Sequence, residues 1–221
     1  MSTLLGADGM ARCAWVGADA EYARYHDEEW GVPLHGDRAL FEKIALEGFQ
    51  AGLSWITILR RRPGFREAFH GFDPAVIAEW GPDDVERLMR DVRIIRNRAK
   101  IEATIGNARA LLALQAAEGD GALDRLVWSF APAREPIGSL SERSESPGSL
   151  SERSESKGAV AASRARPRDF SGIPAETPES KALSKALKAR GFRFVGATTM
   201  YALMQSAGLV DDHVEGCWRA A

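Results

Sequence analysis

A single carboxylate, Glu47, interrupts the run Leu46-Glu47-Gly48-Phe49-Gln50-Ala51-Gly52-Leu53-Ser54-Trp55-Ile56, which otherwise holds only apolar, small or uncharged side chains. Whatever fold the chain takes must find a place for that charge. A carboxylate among Leu, Phe, Ala and Trp is partly desolvated, so it meets a partner or its pKa rises. Trp55 follows about two helical turns later, and the two glycines let a backbone or a flat ligand come close. Two readings are open. One is a pocket for a flat, hydrogen-bonding ring, with an acceptor beside an aromatic wall. The other is a core helix in which Glu47 caps a helix end or pairs with an arginine.

The pattern around this run is helical. Asp37 is placed to N-cap a helix carrying Leu40, Phe41, Ile44 and Ala45 on one face. Pro63-Gly64 is predicted to end the helical unit that begins at Trp55. Asp73-Pro74 starts a short helix, and Gly81-Pro82 starts another with Val85, Leu88, Met89 and Val92 at helical spacing. Beyond the basic segment 93–98 a long helix shows Ile101, Ile105, Ala108, Leu111 and Leu112 and ends near Gly119. Two amphipathic helices joined by basic residues form an αα-hairpin, which can lie against a phosphate backbone. An ordinary helix pair with solvated arginines has the same pattern. Later helices carry Leu183 with Leu187, and Met200 with Leu203 and Met204. Strand alternation is scarce, so an all-α fold is expected.

The 221 residues suffice for one substantial core. A helical domain is expected over residues 12–221, preceded by a flexible extension at 1–11. From Gly138 to Ser146 the chain reads Gly-Ser-Leu-Ser-Glu-Arg-Ser-Glu-Ser, and the same nine residues return from Gly148 to Ser156. Each copy holds one large apolar residue, too little to offset its ordering entropy. Residues 133–171 are therefore expected to be a disordered, dispensable insertion in a surface loop. No run of roughly 18 apolar residues is present, and Met1–Gly6 lacks a basic start and apolar core. A cytoplasmic protein without membrane contact is expected. Net charge is −2, which alone says nothing about nucleic acid, because binding follows local charge.

The chain has two cysteines and four histidines. Cys13 with His26, and His213 with Cys217, form one pair near each terminus. His213 and Cys217 would share one face of a helical turn. Two thiolates and two imidazoles complete a tetrahedral zinc set with no position open for water, hence structural. The alternative is a pair of free, buried thiols.

Taken together, several motifs identify the chain as similar to the DNA-3-methyladenine glycosylase I family. They are Arg12-Cys13-Ala14-Trp15, Tyr25-His26-Asp27-Glu28-Glu29-Trp30-Gly31-Val32-Pro33 and the run around Glu47. Ile94-Ile95-Arg96-Asn97-Arg98-Ala99-Lys100, Trp128-Ser129-Phe130, Ser184-Lys185-Ala186-Leu187-Lys188 and Asp211-Asp212-His213 follow in order. The resemblance implies a helix-hairpin-helix glycosylase architecture, with Cys13, His26, His213 and Cys217 holding one structural zinc. It implies Glu47 as the carboxylate that recognises the base, Tyr25 and Trp55 packed against that base, and Trp15 close by. Leu53 would approach the gap left by the flipped base. The implied activity is excision of 3-methyladenine, with 3-methylguanine, from alkylated double-stranded DNA by a monomer. An abasic site would remain, without strand cleavage, since no lysine stands out as a nucleophile. The rival is a zinc-stapled helical module that binds DNA without chemistry. Two features depart from the family pattern: Arg93 stands where a Gly is usual, and the repeat insertion is foreign to it.

Overall fold

The computed structural model describes residues 2–132 and 167–220. The repeats at 138–158 therefore lie outside the described residues, as does most of the expected insertion. Helices dominate what is described. They are α1 (Ala20–Glu28), α2 (Asp37–Gln50), α3 (Trp55–Ala68), α4 (Pro74–Ala78), α5 (Pro82–Arg90), α6 (Arg98–Glu118), α7 (Ala122–Trp128), α8 (Pro178–Ala189) and α9 (Ala197–Ser206). No described helix is long and apolar enough to cross a membrane.

The central helix is α2, buried along almost its whole length from Leu40 to Phe49. Around it α3, α6, α7 and α9 close a core in which Phe41, Phe49, Phe65, Phe69 and Phe72 are fully buried. Phe69 and Phe72 stack with ring centres 5.4 Å apart. A second apolar cluster gathers Cys13, Tyr25, Trp30, Leu59, Val214 and Cys217, and Trp55 packs against both clusters. The two bodies of core thus meet at the start of α3.

The structure departs from the sequence expectations in local ways, each with a physical cause. Residues 1–11 do not hang free: Thr3–Leu5 (β1) pairs antiparallel with Ala11–Cys13 (β2), with Thr3 opposite Cys13. Asp37 does not cap α2, whose N-cap is Gly36. Its carboxylate instead accepts from Gln115 Nε2 at 2.7 Å, Gly121 N at 3.1 Å and Asp124 N at 2.9 Å, tying α2 to α6 and α7. Nor do Pro63 and Gly64 end α3, which continues to Ala68. Phe65 and Ala68 beyond them are buried, and that packing outweighs the backbone hydrogen bond that Pro63 removes. Gly64 has its own reason. A Cβ there would lie 2.7 Å from Cβ of Arg93, so the turn after α5 can pack on α3 only at a glycine.

Arg93 keeps a negative φ, so the turn at 91–97 does without a glycine at that position. Its guanidinium pairs with Asp91 and Glu67. The expected boundary of the insertion also moves. Residues 167–172 are described: Asp169 accepts from Ser171 N and Gly172 N to cap a 3-10 turn, Phe170–Gly172. Pro167 O accepts from Glu215 N at 3.0 Å, fixing this segment to the C-terminal tail.

Candidate active site

Five elements bring their ends to one cavity of about 310 Å³. Trp15 comes from the 3-10 turn after β2, Tyr25 from α1, Glu47 from the last turn of α2, Trp55 from the first residue of α3 and Ser206 from the end of α9. Four of the expected base-binding residues, Trp15, Tyr25, Glu47 and Trp55, thus share one lining. Leu53 does not. It stands 40% exposed on the turn between α2 and α3, next to the cavity rather than in it. A larger groove of about 520 Å³ lies under the N-terminal hairpin, but it has neither an aromatic wall nor a buried carboxylate.

Glu47 is only 3% exposed, and its Oε1 accepts a hydrogen bond from Ser206 Oγ at 2.9 Å. Burial pushes its pKa up, against the charge of Lys43 and the Ser206 hydrogen bond. Tyr25 and Trp55 touch, with ring centres 5.6 Å apart and planes inclined by 47°. They form a corner, and no flat ring fits between them. A flat ring entering the cavity would stack on one wall and meet the other at its edge. Trp55 Nε1 is buried with no hydrogen-bond partner, which leaves one donor at this corner. Burial, reinforced by the charge of Glu47, holds the Tyr25 phenol well above its ordinary pKa, so it is a neutral wall.

Two residues of the cavity lining, Ser206 and Phe170, and one behind it, Lys43, are not marked by the motifs above. Ser206 is separated from Glu47 by 159 residues, and only the packing of α9 on α2 joins them. Phe170 lines the cavity from the segment assigned above to the insertion. Lys43 is buried one turn before Glu47 and donates to Tyr25 Oη at 3.0 Å. Its spacing from Glu47 on one helix face was visible, though its burial was not.

The turn bearing Leu53 is fixed from the α5–α6 side. Lys100 Nζ donates to Phe49 O at 2.8 Å and Ala51 O at 2.7 Å, closing the C-terminal end of α2. At the α6 N-terminus Asn97 caps through its side chain to Lys100 N. Arg98 pairs with Glu86, whereas Arg96 is exposed and has no ion pair among the described residues.

The chain ends meet beside this cavity. Ligand atoms of Cys13, His26 and Cys217 all lie within 4.8 Å of one another, and Cys217 Sγ is 3.3 Å from His26 Nε2. Both cysteines are free thiols. His213 falls outside that triplet, yet its ring centre is 5.0 Å from that of His26 and its buried Nε2 has no partner. Residues 213–217 form a non-helical turn, so the pair does not share a helix face as expected. Gly31 admits the His213 ring, since a Cβ there would lie 2.7 Å from Cε1. Asp27 and Asp211 each bind the Nδ1 of the adjoining histidine at 2.8 Å, which leaves both Nε2 atoms for another partner. Burial, with Cys217 nearby, pushes the Cys13 thiol up to about 12. A cation bound beside it would favour the thiolate of Cys13.

Against known proteins, the family model for methyladenine glycosylase matches residues 15–161 and 156–220. DNA-3-methyladenine glycosylase 1 of Escherichia coli (strain K12) is 46% identical over 208 residues, 94% of this chain and 96% of that protein. The chain belongs to the methyladenine glycosylase family. A crystal structure of 3-methyladenine DNA glycosylase I superposes with a TM-score of 0.77 at 45% identity, covering 94% of this chain and 98% of that one. A variant of 3-methyladenine DNA glycosylase I in complex with 3-methyladenine superposes at 0.74 with 31% identity, covering 94% and 96%.

The 3-methyladenine bound in that complex offers a test of whether Phe170 acts as a wall of this cavity. Phe170→Ala should weaken binding of 3-methyladenine about threefold to tenfold, the range of one lost aromatic contact of ~0.5–1.5 kcal/mol. Melting should change little, because Phe170 is only half-buried. Calorimetric titration of the base checks this.

Proposed function

We propose that this chain is a DNA glycosylase that flips 3-methyladenine, and with it 3-methylguanine, out of alkylated double-stranded DNA. It hydrolyses the N-glycosidic bond and leaves an abasic site with the strand intact. The observation that carries the reading is a buried carboxylate, Glu47, at the base of an aromatic corner. Such a corner suits one object, a flat ring that presents N–H groups and positive charge.

The chemistry asks little of the protein beyond this. A base methylated at N3 is cationic within the nucleotide, so it departs neutral, taking the electron pair of the glycosidic bond. Water supplies the hydroxyl that bonds to C1′, and its remaining proton goes to solvent. The work lies in extraction, which requires a few kcal/mol of unstacking, least for a damaged base. Stacking and cation–π attraction at Tyr25 and Trp55 hold the extracted ring, with Trp15 alongside. Glu47 accepts from its edge by charge-assisted hydrogen bonds and favours its positive charge. Leu53, exposed on its turn, enters the gap left in the duplex. The α5–turn–α6 unit serves as the helix-hairpin-helix, offering Arg96 and the α6 N-terminus to phosphates. The enzyme acts as a cytoplasmic monomer.

Cys13, His26, His213 and Cys217 hold one zinc in this reading. Two sulfurs, an orphaned buried Nε2 and two carboxylate-oriented imidazoles suit a closed tetrahedral site. The ion is structural and joins the two chain ends; no step of the reaction uses it.

Glu47→Gln keeps the side-chain volume, removes the charge and puts an amide donor where the base presents its own. Affinity for free 3-methyladenine should fall about tenfold or more, the equivalent of one charge-assisted bond of roughly 1.5–3 kcal/mol. Binding of undamaged DNA should stay near normal. Equal base affinity in the two proteins would rule out this role for Glu47. For the metal, Cys217→Ser should lower zinc content and melting temperature more than the specific activity of the folded fraction. A zinc-free wild type with the same melting curve as the loaded protein would contradict the assignment.

A further inference from the structure

Lys43 is a buried charge that base recognition, as described so far, does not use. It is 8% exposed, and it lies one helical turn before Glu47 on α2. Its Nζ donates to Tyr25 Oη at 3.0 Å and sits 4.9 Å from the ring centres of both Tyr25 and Trp55. It does not line the base cavity. It lines a second cavity of about 210 Å³, which shares Trp55 and Ser206 with the first. The ammonium is therefore behind the aromatic corner and out of reach of a deoxyribose at the cavity mouth. This placement argues against a Schiff-base nucleophile and calls for another role.

The charges around Lys43 narrow that role. Glu42 and Glu47 face it from α2, Glu29 from the end of α1 and Arg62 from α3, with the neutral groups Tyr25, Trp55 and Ser206 completing the surroundings. Glu29 is engaged by both prongs of Arg62, and Glu42 by Arg66. Of the four charges that face it, Glu47 alone is left without a pair of its own. Lys43 and Glu47 form no direct ion pair, so the ammonium acts on the carboxylate across one helical turn, through a buried medium that screens little.

We propose that Lys43 is a positioning residue for base recognition: it fixes the Tyr25 ring through its hydroxyl and supplies the positive charge that keeps Glu47 a carboxylate. The inference rests on the reading of Glu47 as the base-recognising group. Burial pushes Glu47 up and Lys43 down in pKa, and the charge of each opposes the shift of the other. The sign follows. Without the ammonium, Glu47 takes up its proton at a higher pH. Base affinity, which needs the carboxylate, then fails sooner as pH falls.

The test compares wild type with Lys43→Met, which keeps the length and removes the charge. Two quantities are followed from about pH 5 to 8. One is affinity for 3-methyladenine; the other is the 13C carboxyl resonance of Glu47, assigned by its loss in Glu47→Gln. Both midpoints should move up by about one pH unit or more in Lys43→Met. Protonation of the free base is common to both proteins and cancels. An unmoved Glu47 titration, with only a lower melting temperature, would overturn the proposal. A moved titration with unchanged base affinity would leave only the charge coupling of Lys43 to Glu47, and would overturn both the positioning role and the base-recognition reading on which it rests. Should Lys43→Met fail to fold, the wild-type resonance decides: Glu47 ionised at neutral pH is the expected result, and a neutral carboxyl there overturns the proposal.

Discussion

Two ionisable side chains buried one turn apart in α2, Glu47 and Lys43, set the conditions for what is built around them. Glu47 is 3% and Lys43 8% exposed, so most of what each polar group meets comes from the fold. Ser206 meets the carboxylate from α9 and Tyr25 meets the ammonium from α1. The helix that carries both charges is consequently clamped from two sides by elements at opposite ends of the chain. The same clamp makes the cavity: Tyr25 and Trp55 are held as its corner, and the carboxylate is held at its base. The cavity and the core that supports it are here one set of interactions.

Distance in sequence is then closed by secondary devices. Cys13, His26, Cys217 and His213 converge beside Trp30, whose ring lies 4.5 Å from that of His213 and 6.1 Å from that of His26. Arg12 reinforces this region by binding both oxygens of Asp27, the residue that orients His26. On the other flank Lys100 closes α2 and so couples the turn at 91–97 to the turn that presents Leu53. A contact of the first turn with a phosphate backbone would thus be transmitted by a rigid helix end to the second.

The parts of this arrangement legible in the sequence were those written locally. A carboxylate amid apolar residues left two readings open, an acceptor beside an aromatic wall or a paired core carboxylate. Glu47 is buried and lines one cavity with Trp55, although a turn between α2 and α3 separates the two. Helical spacing gave the helices and most of their buried faces. What stayed hidden depended on tertiary packing. Ser206 is an ordinary helical serine until α9 is laid on α2. Pro63-Gly64 reads as a terminator, yet the burial of Phe65 carries α3 through it. Residues 1–11 have no period, yet Thr3–Leu5 pairs with Ala11–Cys13. Phe170 follows a repetitive, polar stretch closely enough to be counted with it, although its ring belongs to the cavity. Lys43 was visible as a charge at i−4 from Glu47, but a lysine on a helix is ordinarily solvated.

The central claim is that a methylated purine is taken into the Glu47 cavity and cut from its sugar. The most direct measurement is chromatography of the bases released when the purified protein is incubated with duplex DNA methylated at N3 of adenine. The account predicts catalytic release of free 3-methyladenine and an unbroken strand carrying abasic sites. Tight binding of the same duplex with no base released would contradict it and would leave a helical DNA-binding module in its place.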